Sequence, residues 1–188
     1  VLREESGRGG SKLLQRIFTP GRRIFAARPE NHFELHEDAA MSYLMGGGIG
    51  VTPMIAFAHR LHRLGRPFAL HYSVPSRDAA AFAGILSAAP WAGNVTLHVS
   101  DEGTRADFGA LLRDGPGVHV YACGPDAYMT AATDAAAQAG IPEERCHVEY
   151  FSVPETPEYV NHPFVLRLSD GRRFDVPADK SATDVLAE

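Results

Sequence analysis

The chain has 188 residues, 45% of them apolar, with a net charge of −5. That is enough for one good-sized domain, or one domain with pieces of others, and the acidic balance excludes a nucleic-acid surface. No apolar run is long enough to span a membrane and no signal-peptide pattern opens the chain; with only two cysteines, a reducing cytoplasm is the expected compartment. Two cysteines, Cys123 and Cys146, give neither a disulfide framework nor a metal-cluster spacing. The first residue is Val1, as expected of a processed chain or a piece of a longer one.

Taken in order, residues 1–5 read as a strand, broken by Ser6-Gly7-Arg8-Gly9-Gly10-Ser11. Ser11 is placed to cap a helix over 12–18 with Leu13, Leu14 and Ile17 on one face. Glycines before a helix start can hold an anion or form a plain surface loop. Thr19-Pro20-Gly21 is a turn, and 22–27 reads as a strand. From Met41 the pattern alternates. Strands are predicted over 41–45, 68–74, 94–100, 118–123 and 145–151. Helices are predicted over 53–64, 79–89, 108–113 and 126–139. The first of these helices buries Met54, Phe57, Ala58 and Leu61 and stops at Gly65; the second buries Phe82, Ile85 and Leu86. Asp107 caps the third, and Gly140 stops the fourth. This alternation implies an α/β fold, a five-stranded parallel sheet with helices on both faces. Residues 152–162 read as a linker. Beyond it, 164–168 and 172–176 form a β-hairpin around Ser169-Asp170-Gly171, and Ser181 caps a helix over 182–188.

The organising stretch is Tyr43 to Met54, an apolar strand running into Gly46-Gly47-Gly48-Ile49-Gly50-Val51-Thr52-Pro53. Glycine permits a sharp turn and close backbone approach to a ligand, and the unpaired amides of the following helix favour an anion. The pattern departs from G-x-G-x-x-G: counting from Gly46 or Gly48, Val51 or Pro53 replaces the third glycine. A second glycine-bearing turn, Cys123-Gly124-Pro125, follows another strand end, where open α/β sheets bind ligands. Cys123 is read as a contact residue rather than a nucleophile. Ser76-Arg77 follows the second sheet strand, where a nucleotide's ribose is expected. The pair could hold a 2′-phosphate, while Asp78 argues against one. His59 and His62 sit three apart on a helix with no third ligand in reach, so no metal site is expected.

Five motifs together resemble the reductase components of two-component Rieske oxygenases, of the phthalate dioxygenase reductase and vanillate demethylase reductase type. They are Ser6 to Ser11, Pro29 to Leu35, Gly46 to Met54, Tyr121 to Pro125 and His147 to Phe151. The resemblance implies an FMN-binding β-barrel, an NADH-binding ferredoxin-reductase domain and a 2Fe–2S ferredoxin-like domain. It assigns residues 1–37 to the barrel, 38–151 to the NAD domain, 152–162 to a linker and 163–188 to the start of the β-grasp ferredoxin. It also implies that Gly9, Gly10 and Ser11 lie at the FMN phosphate. Gly47, Gly48, Gly50, Val51, Thr52 and Pro53 would face NADH, and Ser76 and Arg77 its ribose. Cys123, Gly124, Pro125 and Glu149 would lie beside nicotinamide and flavin, with Phe151 against the flavin ring; Cys123 and Phe151 stand closest to the reacting centres. The family's Arg-x-Tyr-Ser flavin motif is expected upstream of Val1, and its plant-type cysteine spacing downstream of Glu188. The implied reaction passes hydride from NADH to flavin and electrons onward to a Rieske-type oxygenase partner. The alternative is a nucleotide-binding module without turnover. Neither nucleic acid nor membrane is an expected partner, and the oligomeric state is open.

Overall fold

The computed structural model describes residues 10–151 and 160–187, with side chains from Leu13 onward at the amino end. The strand expected over 1–5, Gly9 and most of the linker lie outside the described residues. The chain divides into two units, Val1–Glu34 and Leu35–Glu188.

In the first unit, helix α1 spans Gly10–Ile17. Ser11 is therefore inside the helix rather than its cap. The chain then turns at Thr19, where Arg22 N donates to the Thr19 carbonyl at 3.0 Å. The strand expected over 22–27 is not formed. A strand needs a partner ladder, and none forms for these residues among the described ones; Phe25 is 98% exposed.

The second unit is built on a five-stranded parallel sheet in the order β3-β2-β1-β4-β5. The strands are β1 Met41–Gly47, β2 Phe68–Val74, β3 Val95–Val99, β4 Val118–Cys123 and β5 Cys146–Glu149. Helix α2 (Val51–Leu64) packs Met54, Ala58 and Leu61 onto one face, where Leu44 and Leu70 are also fully buried. Phe57 on the same stripe is half-buried, its ring edge-on to Tyr121 at 5.2 Å. Gly65 closes α2 in the left-handed conformation, its amide bonded to the His62 carbonyl. The opposite face carries α4 (Phe108–Leu111) and α5 (Asp126–Gln138). There Met45, Val120 and Ala122 pack with Phe108, Leu112, Ala132 and Ala136. The Asp107 carboxylate caps α4 by accepting from Ala110 N at 3.0 Å.

The helix expected over 79–89 contracts to α3, Ala83–Ser87. Before it, the backbone makes short i→i+3 turns, such as Ala79 N to the Ser76 carbonyl at 3.1 Å. Only Leu86 is buried there; Ile85 points out, 56% exposed, and Phe82 is half-buried. Residues 164–167 and 173–176 form the antiparallel hairpin β6 (Phe164–Arg167) and β7 (Arg173–Val176). Helix α6 (Ala182–Ala187) starts in a reciprocal cap. Asp184 N donates to Ser181 Oγ at 3.2 Å, and Ser181 N donates to the Asp184 carboxylate at 2.9 Å. No helix among the described residues is long and apolar enough to cross a membrane.

Candidate nucleotide-binding site

The strand order decides where a ligand can bind. From β1 the chain steps outward through β2 to β3, then returns to the other side of β1 to lay down β4 and β5. The connections after β1 and β4 therefore leave in opposite directions, opening a crevice at their carboxyl ends. In register, Gly46 of β1 pairs with Cys123 of β4, which pairs with Glu149 of β5. This places the glycine loop, the Cys123-Gly124-Pro125 turn and Glu149 side by side.

The two loops touch backbone to backbone. A Cβ on Gly50 would overlap the Cys123 carbonyl group and stand 2.7 Å from Gly124 N. A Cβ on Gly124 would meet the Gly47 Cα at 3.0 Å, and one on Gly46 would stand 2.7 Å from the Val51 Cα. Real side chains do not approach as closely as at Gly46 and Gly50, so these two positions require glycine for space, and Gly124 is tight. Behind the first loop, α2 begins with no acidic residue in its first turn and no side-chain cap at its start. The Val51 amide at its start is taken by the Gly48 and Ile49 carbonyls of the loop, and the positive end of its dipole lies at the loop. Pro53 falls within the first turn, where an N–H has no helical partner to lose. Thr52 Oγ1 donates to the Ile49 carbonyl at 2.9 Å and fixes the loop's exit. α5 starts beside the second loop, the Pro125 carbonyl accepting from Tyr128 N and Met129 N at 2.9 and 3.0 Å.

Cys123 is buried, and its thiol is pushed up to about 11, first by burial and then by the Glu149 carboxylate. At neutral pH it is a thiol, not a thiolate, so it can pack against a ligand but not attack one. Past β5, Tyr150 and Phe151 leave their rings 53% and 56% exposed. Gly10 and Ser11 open α1 in the first unit, and Gly9 lies outside the described residues.

Beside the glycine loop, a cavity of about 270 Å³ opens at the carboxyl ends of β2 and β3, lined by Ser73, His98, Ser100, Arg105, Phe108 and Tyr128. Ser73 Oγ and Tyr128 Oη are buried there without a hydrogen bond of standard geometry. Burial pushes the Tyr128 phenol up to about 12, so it stays a neutral donor. The two hydroxyls engage each other only loosely, which leaves bonding capacity for a polar ligand. The sequence reading missed these residues. They are single polar positions on separate elements, and only the register pairing Gly47 with Ser73 brings this cavity to the loop.

Ser76 and Arg77 stand beyond the end of β2, as expected. The Arg77 guanidinium is already engaged: its Nε lies 2.6 Å from one Glu102 carboxylate oxygen, and Nη2 donates to the other at 2.9 Å. A bidentate carboxylate occupies the fork a 2′-phosphate would need. His59 accepts a hydrogen bond from Trp91 Nε1 at 3.3 Å, which gives it a packing role.

No protein-family model matches the chain. The vanillate O-demethylase oxidoreductase of Acinetobacter baylyi is 34% identical over 191 residues, covering 100% of this chain and 60% of that relative. The phthalate dioxygenase reductase of Burkholderia cepacia is 35% identical over 194 residues, covering 100% of this chain and 59% of that relative. Over its whole length the chain is similar to reductase components of oxygenase systems. It spans about 60% of the length of these relatives. A solved structure described as phthalate dioxygenase reductase, a modular structure for electron transfer from pyridine nucleotides to [2Fe–2S], superimposes with a TM-score of 0.72. It is 33% identical, over 100% of this chain and 59% of that one. An intact type IV self-sufficient cytochrome P450 monooxygenase superimposes with a TM-score of 0.78 at 33% identity, over 99% of this chain and 24% of that one. The five-stranded sheet and its helices thus have the ferredoxin-reductase fold.

Proposed function

We propose that residues 38–151 form the NADH-binding domain of an electron-transfer oxidoreductase, a reductase component that passes hydride from NADH to FMN and electrons onward to a Rieske-type oxygenase. Residues 1–37 are assigned to the end of the FMN barrel, 152–162 to a linker and 163–188 to the start of the ferredoxin-like domain. The observation that carries this reading is the contact of two loops at the switch point, at spacings only glycine allows. Such a cradle admits a pyrophosphate against backbone amides.

Gly47, Gly48, Gly50, Val51, Thr52 and Pro53 hold the pyrophosphate and the nicotinamide side, with Arg105 as counter-charge. The cavity at Ser73 and Tyr128 takes the adenosine end. The Arg77–Glu102 pair supports NADH over NADPH. Cys123, Gly124 and Pro125 pack against the nicotinamide, and the neutral Cys123 thiol adds bulk without charge. Glu149 bounds the same space. Phe151, exposed at the β5 tip, offers a flat apolar surface to the FMN ring. FMN, when bound, accepts two electrons together and releases them singly. The chain's own contribution is to orient and to exclude water. Gly9, Gly10 and Ser11 are assigned to the FMN phosphate. An iron–sulfur cluster needs four thiolates; Cys123 and Cys146 lie within the sheet at β4 and β5 and do not fit one, so no step is assigned through it here. Two free cysteines fit a reducing compartment, the cytoplasm.

The test is calorimetric titration of the chain with NADH, then NADH-dependent ferricyanide reduction with and without added FMN. The proposal expects NADH to bind more tightly than NADPH and turnover to require added FMN. Absence of NADH binding would overturn it. Binding without turnover at saturating FMN would leave the non-catalytic nucleotide-binding module as the correct reading.

A further inference from the structure

Nine histidines are scattered through the sequence, and the fold gathers three of them. His36 precedes β1, His119 is the second residue of β4 and His147 the second residue of β5. Parallel pairing sets Tyr121 opposite His147, and His119, two residues earlier on the same face as Tyr121, becomes its diagonal neighbour. His36 is drawn over them because its backbone N–H donates to Tyr121 Oη at 2.9 Å. The His36 ring stacks on His119 at 4.5 Å and on His147 at 4.8 Å between centroids. One ring nitrogen from each histidine lies within 4.8 Å of the other two.

We propose that His36, His119 and His147 form a binding site for one divalent transition cation of the zinc class, separate from the nucleotide site. His119 Nδ1 and His147 Nε2 already point at each other across 2.9 Å. That contact holds one proton between two lone pairs, and a cation can take the proton's place. Two nitrogens on one tetrahedral zinc stand about 3.3 Å apart, from a metal–nitrogen length of about 2.0–2.1 Å. A rotation of a few tenths of an ångström therefore opens the pair to zinc, and the exposed His36 ring is free to swing onto the third position. All-imidazole sites prefer zinc, copper and nickel over magnesium or calcium. Burial, with the neighbouring imidazoles, holds His147 down to about 4 and His119 below the usual range, so both rings keep their lone pairs at neutral pH. Two charged groups bear on the cluster: Asp38 favours a cation, and Arg145 opposes one while paired with Asp114 at 3.2 Å.

The site lies toward the amino ends of the strands. His119 is four residues before Cys123, about 13 Å along β4 at about 3.3 Å per residue. A bound cation would tie the segment entering β1 to the edge strand β5. The experiment is titration of the untagged chain with Zn²⁺ against a chromophoric chelator, with Mg²⁺ as the hard-cation control and thermal melting as a second readout. The expected result is one Zn²⁺ per chain, a raised melting temperature with Zn²⁺ but not Mg²⁺, and at least about tenfold weaker binding in His36→Gln and His147→Gln. His62→Gln, on the exposed side of α2, should bind as the parent does. His36 is exposed, so its variant tests the site without disturbing the core. No stoichiometric Zn²⁺ binding, or binding undiminished in His36→Gln, would overturn the proposal and leave the cluster as a stack of hydrogen-bonded imidazoles.

Discussion

Replacing Gly50 by alanine tests the cradle at its tightest point. The added methyl would overlap the Cys123 carbonyl and reach 2.7 Å from Gly124 N, where ordinary contact begins at 3.4 Å. Both neighbours are backbone, so no flexible side chain can yield. The two strand tips must part by more than about 0.7 Å, since the Cys123 carbonyl lies nearer than Gly124 N, with overpacking costing on the order of 3 kcal/mol, the upper end for buried insertions. Parting the tips also spoils the seat for the nucleotide. Misplacement on the order of 1 Å costs about 100-fold in rate for positioned groups, and a loss of about 1.4 kcal/mol of binding is tenfold in affinity. Gly50→Ala is therefore expected to melt lower and to bind NADH at least about tenfold more weakly, measured by nucleotide fluorescence titration beside thermal unfolding. Gly93→Ala is the control, since its methyl meets nothing within 4 Å. Parent-like NADH affinity in a stably folded Gly50→Ala protein would refute the claim that the loop contact builds the site.

Removing the partner of Arg77 should shift coenzyme preference. Glu102→Gln is expected to raise NADPH affinity several-fold relative to NADH in competition titrations, while stability changes by less than about 1 kcal/mol because the pair is largely exposed. Cys123 should resist iodoacetamide in the native protein at pH 8 and react on unfolding, as peptide mapping would show. Its folded value of about 11 lies above the ordinary 9, so its contribution to stability holds below pH 9 and is lost as pH rises from 9 to 11. His71, buried against His98 at 3.0 Å, is held down to about 4, first by burial and then by His98. The unfolded chain takes up that proton near pH 6.5 and the folded chain only near 4. Stability should therefore fall as pH drops through that window, by on the order of 3 kcal/mol, and His71→Gln should flatten the denaturant-midpoint curve there.

The sheet was legible wherever the chain carries its own punctuation. Strands β2 and β4 fall on the expected residues because Pro67 and Pro75 bracket the first, and Gly117 and Gly124 the second. Helix α2 stops at Gly65 for the same local reason. The strand expected over 22–27 rested on composition alone, and a strand is completed only by a neighbour. The helix expected over 79–89 rested on the helical spacing of Phe82, Ile85 and Leu86. The chain before Ala83 winds in short i→i+3 turns instead, and Ile85 faces solvent rather than a sheet. The two nucleotide loops could be read because each is a contiguous motif. The Arg77–Glu102 pair, the cavity at Ser73 and Tyr128, and the histidine cluster could not. Their members lie 25 to 111 positions apart and meet only through strand register.

Hydrogen exchange measured with and without NADH tests the account most directly. NADH is expected to slow exchange together in the amides of residues 46–54 and 123–129, with a smaller effect around Ser73 and Ser100. Protection confined to one loop, or appearing at the opposite ends of the strands, would contradict it.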